Sequence, residues 1–290
     1  MITYNPKNWF TLIFSFSKSD TVRMLWRQIV YIGLLSTIIT FSEIHFFPKA
    51  DFLKHLIAVY SLLGFVISLL LVFRTNTAYD RWWEGRKLWG AIVNDSRNFS
   101  LKINSMELSE EDKEHFKNLI INFCYATKER LRESDSETNL VFQNQEEQKS
   151  YRFADHKPLF FMNQIQKKIN FLKNKGFISD TMILLLDKNV NSLIDSLGGC
   201  ERIKNTPIPF SYSLFIKKFI FIYVITLPLA FVNQFRYFSA LIATFVFYAL
   251  VSMEVLAEEI EDPFGEDDND LPTDQVCDKI KENVNEIFLN

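Results

Sequence analysis

A run of carboxylates directly follows one of the most apolar parts of the chain. It lies in EDPFGEDDNDLPTD, residues 261–274, where four acids fall within five positions: Glu266, Asp267, Asp268 and Asp270. Carboxylate oxygens suit Ca²⁺, which takes about six to eight hard ligands. One or two acids could instead cap the helix that the following residues predict. Four together repel one another without a counter-ion, so the run predicts a cation site.

No other group of side chains has the spacing of a reactive or cofactor site. The four histidines stand apart, and the eight glycines form neither a phosphate loop nor a nucleophile elbow. The cysteines Cys124, Cys200 and Cys277 are far apart and are predicted to be packing residues. A net charge of -3 without a basic face argues against nucleic acid. We therefore predict no enzyme, no nucleic-acid partner and no small-molecule substrate other than ions.

Four uncharged apolar runs indicate an integral membrane protein. Apolar residues make up 48% of the 290-residue chain. A helix of about 18 residues is about 27 Å long, close to the hydrocarbon thickness of about 30 Å. Four buried helices of a soluble bundle are the alternative, but the last two runs adjoin and would need an unusually large apolar partner. We predict transmembrane helices at about 26–46, 56–78, 215–235 and 237–256.

The remaining residues predict a cytosolic region that is also helical. Basic residues flank the spans on one side, which places both termini and residues of about 80–212 and 257–290 in the cytoplasm. The membrane part and the cytosolic part are built from interleaved sequence, and residues 1–290 are expected to form a single unit. The predicted location is the inner membrane of the cell. Strand signals are nearly absent, and the expected fold class is an all-α membrane protein.

Local signals place two helices in the cytosolic region. Ser109 opens a helix that continues to about Arg132, because its hydroxyl can cap the first turn. Residues 133–150 are polar and predict a loop. A second helix begins near Ser179 and is expected to end at the Gly198–Gly199 pair.

The second span carries an apolar stripe with helical spacing. Phe65, Leu69 and Phe73 stand at i, i+4 and i+8, and they lie beside a strip of smaller or polar residues, namely Tyr60, Gly64 and Ser68. Small residues let helices approach closely in lipid. Several copies around an axis would turn the stripe into apolar rings that constrict a pore and gate it by dewetting. The same stripe could also face lipid or a neighbouring helix.

The segment after this stripe, FRTNTAYDRWWEGRKLWG, suits the membrane boundary. Arg74 can extend from the boundary toward water, as long basic side chains do at helix ends. The tryptophans fit an interfacial belt, and they are Trp82, Trp83 and Trp89.

The same segment carries a family resemblance. Together with GGCERIKNTPIPF at residues 198–210, the EDPFGEDDNDLP block and NPKNWF near the start, it resembles the prokaryotic bestrophins. The order and spacing of the blocks agree along nearly the whole chain.

The resemblance implies a homopentamer around one axial pore, with the second span of each subunit forming a hydrophobic neck. Matched from FRTN, the neck positions are Phe65, Leu69 and Phe73, the stripe that the helical spacing also selects. A second constriction is implied at the cytosolic end, and Thr181, after ISD, is its candidate. Relatives often carry an apolar residue there, so threonine departs from the pattern and should weaken a dewetting barrier.

The resemblance also implies a calcium clasp after the last span. By residue match, Asp267 and Asp270 are the side-chain ligands, while Glu266 and Asp268 add negative potential. Asn269 stands where calcium-gated relatives can carry another acid, and some prokaryotic members lack the acids altogether.

The expected function is a passive ion channel, with Ca²⁺ as a regulatory ion and the lipid bilayer and other copies of the chain as partners. The positive edges of Phe65 and Phe73 favour Cl⁻ or other small anions, although uncharged rings select weakly. A cation-selective channel of the same architecture is one alternative. A non-conducting calcium-binding membrane scaffold and a membrane enzyme are the others.

Overall fold

The structure, a computed structural model, describes residues 21–47 and 56–289. These residues form helices and no strands, which confirms the all-α prediction for the described part of the chain. The helices, in chain order, are α1 (Thr21–Phe46), α2 (Leu56–Asn104), α3 (Glu110–Leu131), α4 (Gln145–Arg152), α5 (Lys157–Asn174), α6 (Asp180–Asn205), α7 (Phe210–Phe235), α8 (Phe238–Glu261) and α9 (Thr273–Leu289). The NPKNWF block and most of the loop between the first two predicted spans lie outside the described residues.

Four of these helices are long and apolar enough to cross a membrane. They are α1, α2, α7 and α8; the first three each contain one predicted span, and α8 begins one residue after the predicted start at 237. At 49 residues, α2 extends well past the length that a bilayer requires. The prediction of four transmembrane helices is confirmed in the number, length and apolar composition of the described helices.

The chain divides into two compact units, and the first contains the four apolar helices. Of the described residues, this membrane unit contains those up to Trp82, Pro207–Pro263 and Asp267–Asn269. In it, α1 packs on both α7 and α8, and α7 packs on α8. Side chains from all four helices meet in one buried core, which contains Ile32, Ile67, Leu71, Ile216, Ile220, Val224 and Phe247.

The second unit contains the polar helices and is built around α3. Of the described residues, it contains Trp83–Thr206, Phe264–Glu266 and those from Asp270 onward. Every residue of α3 from Leu119 to Lys128 is buried, because α5, α6 and α9 all pack against this helix. Ser109 caps α3 as predicted, accepting a hydrogen bond from the Asp112 amide at 3.2 Å.

The cysteines are buried and unpaired, which confirms their predicted packing role. Burial raises the pKa of the Cys124 thiol to about 12. Thiolate, the reactive form of cysteine, is therefore scarce at neutral pH.

Two boundaries predicted in the cytosolic region are wrong. Residues 133–150 are not entirely a loop, since Gln145 begins the short helix α4. Asn144 caps α4 by accepting the Glu147 amide at 2.8 Å, and Tyr151 anchors it by being buried. The polar composition of α4 gives no apolar periodicity that would predict a helix. Its stability depends instead on the Asn144 cap and on the buried Tyr151.

The Gly198–Gly199 pair does not end α6, which continues to Asn205. A Cβ atom at Gly199 would lie 2.8 Å from a methyl carbon of Leu88. Gly199 therefore allows α6 to pack closely against Leu88 in the second part of α2, and the pair does not terminate the helix.

Candidate functional site

The predicted neck stripe lies on the outer surface of the single chain. Phe65 is 65% exposed, Leu69 44% and Phe73 56%, whereas Ile67 and Leu71 on the opposite face of α2 are buried in the core. Burying one such side chain is worth about 1.5–3 kcal/mol, so an apolar stripe of this size requires lipid or protein to cover it.

The strip beside the stripe is where α2 meets α7. A Cβ atom at Gly64 would lie 2.7 Å from the Tyr223 hydroxyl, and that hydroxyl donates to the Tyr60 carbonyl at 3.3 Å. The Ser68 hydroxyl donates to the Gly64 carbonyl at 2.8 Å and so needs no partner on another helix. The predicted close approach through small residues is confirmed at Gly64, and it fixes which face of α2 remains outward.

Immediately after Phe73, Arg74 enters a buried ion-pair group. Arg74 is 1% exposed, its Nη2 lies 2.6 Å from Glu261 Oε2, and its Nε lies 3.7 Å from Glu254 Oε2. The other oxygen of Glu261 accepts the Ile208 amide at 2.6 Å. The prediction that Arg74 extends toward water is wrong, because two carboxylates at the end of α8 hold it inside the unit.

Further contacts attach the start of the acidic segment to α2. Arg81 Nε donates to the Glu261 carbonyl at 3.0 Å, and Trp82 Nε1 donates to the Asn269 carbonyl at 3.0 Å. The Asn269 side chain donates to Glu259 at 2.6 Å. Glu261 and Asn269 are therefore both anchored to α2 between about two and three helical turns after Phe73.

The tryptophans do not form one belt. Trp89 is buried in the second unit, and Trp82 donates its indole N–H within the membrane unit, while Trp83 is about half exposed. The belt prediction is wrong for Trp89, because a tryptophan pattern does not distinguish an interfacial position from a core position.

The four predicted metal-binding acids have different surroundings. Glu266 and Asp267 are exposed, and Asp268 is partly buried. Asp270 is only 2% exposed, and a Cβ atom at Gly265 would lie 2.8 Å from its Oδ2. Glycine at position 265 therefore allows the Asp270 carboxylate to fold against the turn.

Basic side chains at the C-terminal end of α3 contact Glu266 and Asp274 within the second unit. Arg132 lies 2.7 Å from Asp274 and 3.7 Å from Glu266, and Lys128 lies 2.8 Å from Asp274. The hydrogen bond from Arg132, followed by that from Lys128, lowers the pKa of Asp274 to about 2 against the opposing effect of burial. Asp274 is therefore ionised at neutral pH.

Among residues 21–47 and 56–289, no three His, Cys, Asp or Glu side chains come close enough to hold a metal ion. The carboxylates alone thus fall short of the six to eight oxygens, roughly, that Ca²⁺ takes. Backbone carbonyl oxygens would have to supply the rest, and Ca²⁺ binding stays a prediction.

The aperture candidate lies in the first turn of α6. Thr181 is exposed, and the Ser179 hydroxyl caps the helix by accepting the Met182 amide at 3.3 Å. Leu184, one turn later, is 72% exposed. Sequence matching did not select Leu184, although its i+3 spacing from Thr181 could have done so.

Four membrane-length helices, one with an outward apolar stripe that ends at a buried ion pair, define an integral membrane protein. Residues 1–286 match the family described as Bacterial/Fungal Bestrophin protein. The chain belongs to the bestrophin family, as its sequence blocks predicted.

Named relatives and a solved structure agree with this assignment. The chain is 31% identical to a voltage-dependent anion channel-forming protein of Nostoc sp., over 99% of this chain and 94% of the relative. It is 30% identical to the voltage-dependent anion channel-forming protein YneE of Escherichia coli K12, over 97% of this chain and 92% of that relative. The crystal structure of a bacterial bestrophin homologue from Klebsiella pneumoniae superposes with a TM-score of 0.83 at 27% identity, covering 92% of this chain and 99% of that one. The relatives are named as channels and not as enzymes, which confirms the prediction that this chain is not an enzyme.

Proposed function

We propose that five copies of this chain form a passive channel for small monovalent ions, with anions such as chloride favoured. Phe65, Leu69 and Phe73 of each copy line its neck. The observation that carries the proposal is their exposure at i, i+4 and i+8 on α2, while the opposite face of the same helix is buried. Copies arranged around an axis would cover this stripe and give it a role in gating.

The ring edges and the names of the relatives support an anion as the permeant ion. Phenylalanine edges carry positive partial charge, which favours anions in the neck. Both relatives described above are named as anion channel-forming proteins.

A cation-selective channel is the second candidate. Asp80 is exposed on α2 two helical turns after Phe73 and therefore lies on the same side of the helix. A ring of such carboxylates would attract cations to that end of the pore.

The proposed setting is the inner membrane, with both termini in the cytoplasm. The support is the excess of basic residues at one end of the spans, including Arg23 and Arg27 in α1. In this setting Thr181 would lie at the cytosolic aperture.

Reversal potential tests the channel and its selectivity. Purified protein, shown by native mass measurement to be pentameric, is placed in planar bilayers under a KCl gradient. We expect a shift toward the chloride equilibrium potential. A shift toward the potassium potential would replace the anion channel by the cation channel, and silence from confirmed pentamers would favour the scaffold.

We also propose that the acidic turn binds Ca²⁺ and that the ion acts on the channel. Support comes from the density of acids in the turn and from its anchoring to α2 beyond Phe73. Bound Ca²⁺ would offset the negative charge that the four acids bring together. Arg74, Arg81 and Trp82 would hold the start of the turn on the neck helix.

Replacing Asp267 and Asp270 by asparagine tests the calcium site. We expect the Asp267→Asn, Asp270→Asn pair to abolish any response of the current to micromolar Ca²⁺ while the pentamer stays intact, because two anionic ligands are lost. The matched control is Asp135→Asn with Asp155→Asn, which removes the same charge from two exposed positions outside the spans. A response retained by the first pair would place Ca²⁺ elsewhere.

A further inference from the structure

A cavity in the membrane unit lies at the end of α1 and the turn between α7 and α8. Its volume is about 230 Å³, and it is lined by Glu43, Ile44, Phe47, Val232, Asn233 and Arg236. One water molecule occupies about 30 Å³ of liquid, so the cavity has room for a chemical group much larger than a single water.

Glu43 is the side chain in this cavity that requires a partner. The residue is 6% exposed, and neither carboxylate oxygen accepts a hydrogen bond from any described residue. One turn deeper, the buried hydroxyls of Thr40 and Ser239 are satisfied by each other at 3.1 Å. Burying an ionisable group without a partner is costly, particularly within a membrane. The cavity therefore favours an occupant that donates hydrogen bonds or carries positive charge.

Arg236 supplies the opposite charge at the same cavity. Arg236 lies in the turn between α7 and α8. Its φ angle is +47°, a value that residues other than glycine seldom adopt. No ion pair within 4.0 Å joins it to Glu43 in the described part of the chain, and Asn233 adds an amide to the lining. Opposite charges that line one cavity without pairing fit a ligand that itself carries both charges.

The surroundings place this cavity at a polar–apolar boundary. Glu43 is three residues from the end of α1, and Arg236 separates two membrane-length helices. Exposed aromatic residues flank the cavity along the chain, namely Phe46, Tyr237 and Phe238. Tyrosine is enriched at the level of lipid headgroups, and the exposed phenylalanines add apolar surface beside it. A lipid can reach such a position directly from the bilayer.

We propose that the cavity binds the phosphoethanolamine headgroup of a membrane phospholipid, with its ammonium group at Glu43 and its phosphate at Arg236. The ammonium group donates up to three hydrogen bonds and neutralises the carboxylate. Arginine is well suited to the phosphate because its guanidinium donates two parallel hydrogen bonds. A choline headgroup carries the same charges but has no N–H to donate, so the site distinguishes the two lipids.

Thermal stability in defined lipid tests the proposal. The protein is reconstituted in phosphatidylcholine nanodiscs with or without phosphatidylethanolamine, and unfolding is followed by tryptophan fluorescence. We expect phosphatidylethanolamine to raise the melting temperature of the unsubstituted protein. In Glu43→Gln this rise should shrink to about half or less, because charge-assisted hydrogen bonds are about twice as strong as neutral ones. Glu107→Gln, the same change at an exposed position outside the spans, should keep the full rise.

Other results would overturn the proposal. An equal melting temperature with and without phosphatidylethanolamine would exclude the headgroup, and so would a full rise retained by Glu43→Gln. Stabilisation by soluble phosphoethanolamine in pure phosphatidylcholine, with none from the lipid, would show that the source is a free metabolite. Stabilisation by MgCl₂ alone would identify an inorganic cation as the occupant. If Glu43→Gln does not fold, native mass spectrometry of Arg236→Gln, whose side chain is exposed, should show loss of bound phosphatidylethanolamine.

Discussion

We expect the single-channel conductance to rise several-fold when Phe65, Leu69 and Phe73 are replaced together by alanine. Each subunit would then lose its outward apolar stripe, and water would fill a neck that the larger side chains keep dry. Anion preference should also weaken, since the ring edges of two phenylalanines are removed. Single-channel recording in KCl, followed by the reversal potential of the same variant, measures both effects.

A matched control is available on α8. Phe238, Leu241 and Phe245 have the same residue types, lie at i, i+3 and i+7, and are 65–70% exposed. If this second stripe faces lipid, its triple alanine variant should conduct as the unsubstituted channel does. Equal conductance in the two triple variants would remove Phe65, Leu69 and Phe73 from the pore. Because both variants lose similar apolar surface, a general loss of stability would affect them alike.

The sequence predicted those parts of the fold that depend on local signals. Four apolar runs gave the four membrane-length helices, and the Ser109 cap gave the start of α3. The outward stripe on α2 could be selected by spacing, because every fourth residue of a helix returns to nearly the same face. The spacing of the residues could not show what covers the stripe, because the stripe is exposed in the single chain.

The sequence failed where the deciding contact is distant along the chain. Arg74 fits a boundary position by its own chemistry, yet its partner Glu261 is 187 residues away. Gly199 is a residue type that often ends helices, but its close approach to Leu88 is seen only in the structure. The sequence did not indicate a site at Glu43. A single acid near the end of an apolar run is common, and only the structure shows that this one is buried.

The ion pair of Arg74 with Glu261 leads to the largest expected effect on stability. Replacing Arg74 by methionine keeps a long flexible side chain but leaves two buried carboxylates without their cation. Removing one partner of a buried pair typically costs about 3–5 kcal/mol. For a chain of this size that corresponds to a fall of roughly 10 °C in melting temperature, measured by tryptophan fluorescence of the purified protein.

Two further variants separate charge from packing. Glu258→Gln breaks the exposed pair with Lys217, whose atoms lie 2.9 Å apart, and it should cost less than about 1 kcal/mol. Glu261→Gln added to Arg74→Met should recover part of the loss, because one uncompensated carboxylate becomes neutral and can still accept the Ile208 amide. A double variant that is less stable than Arg74→Met would show that Glu261 acts mainly through packing.

The same variants test whether Arg74 connects the acidic turn to the neck. Glu261 holds Arg74 through its side chain and Arg81 through its carbonyl, so the turn and the neck helix share one anchor. Below its melting temperature, Arg74→Met should form pentamers that conduct but respond less to Ca²⁺ than the unsubstituted protein. A full Ca²⁺ response in this variant would mean that Arg81 and Trp82 suffice to hold the turn. Loss of conduction without loss of the pentamer would instead place Arg74 in the support of the neck itself, one residue from Phe73.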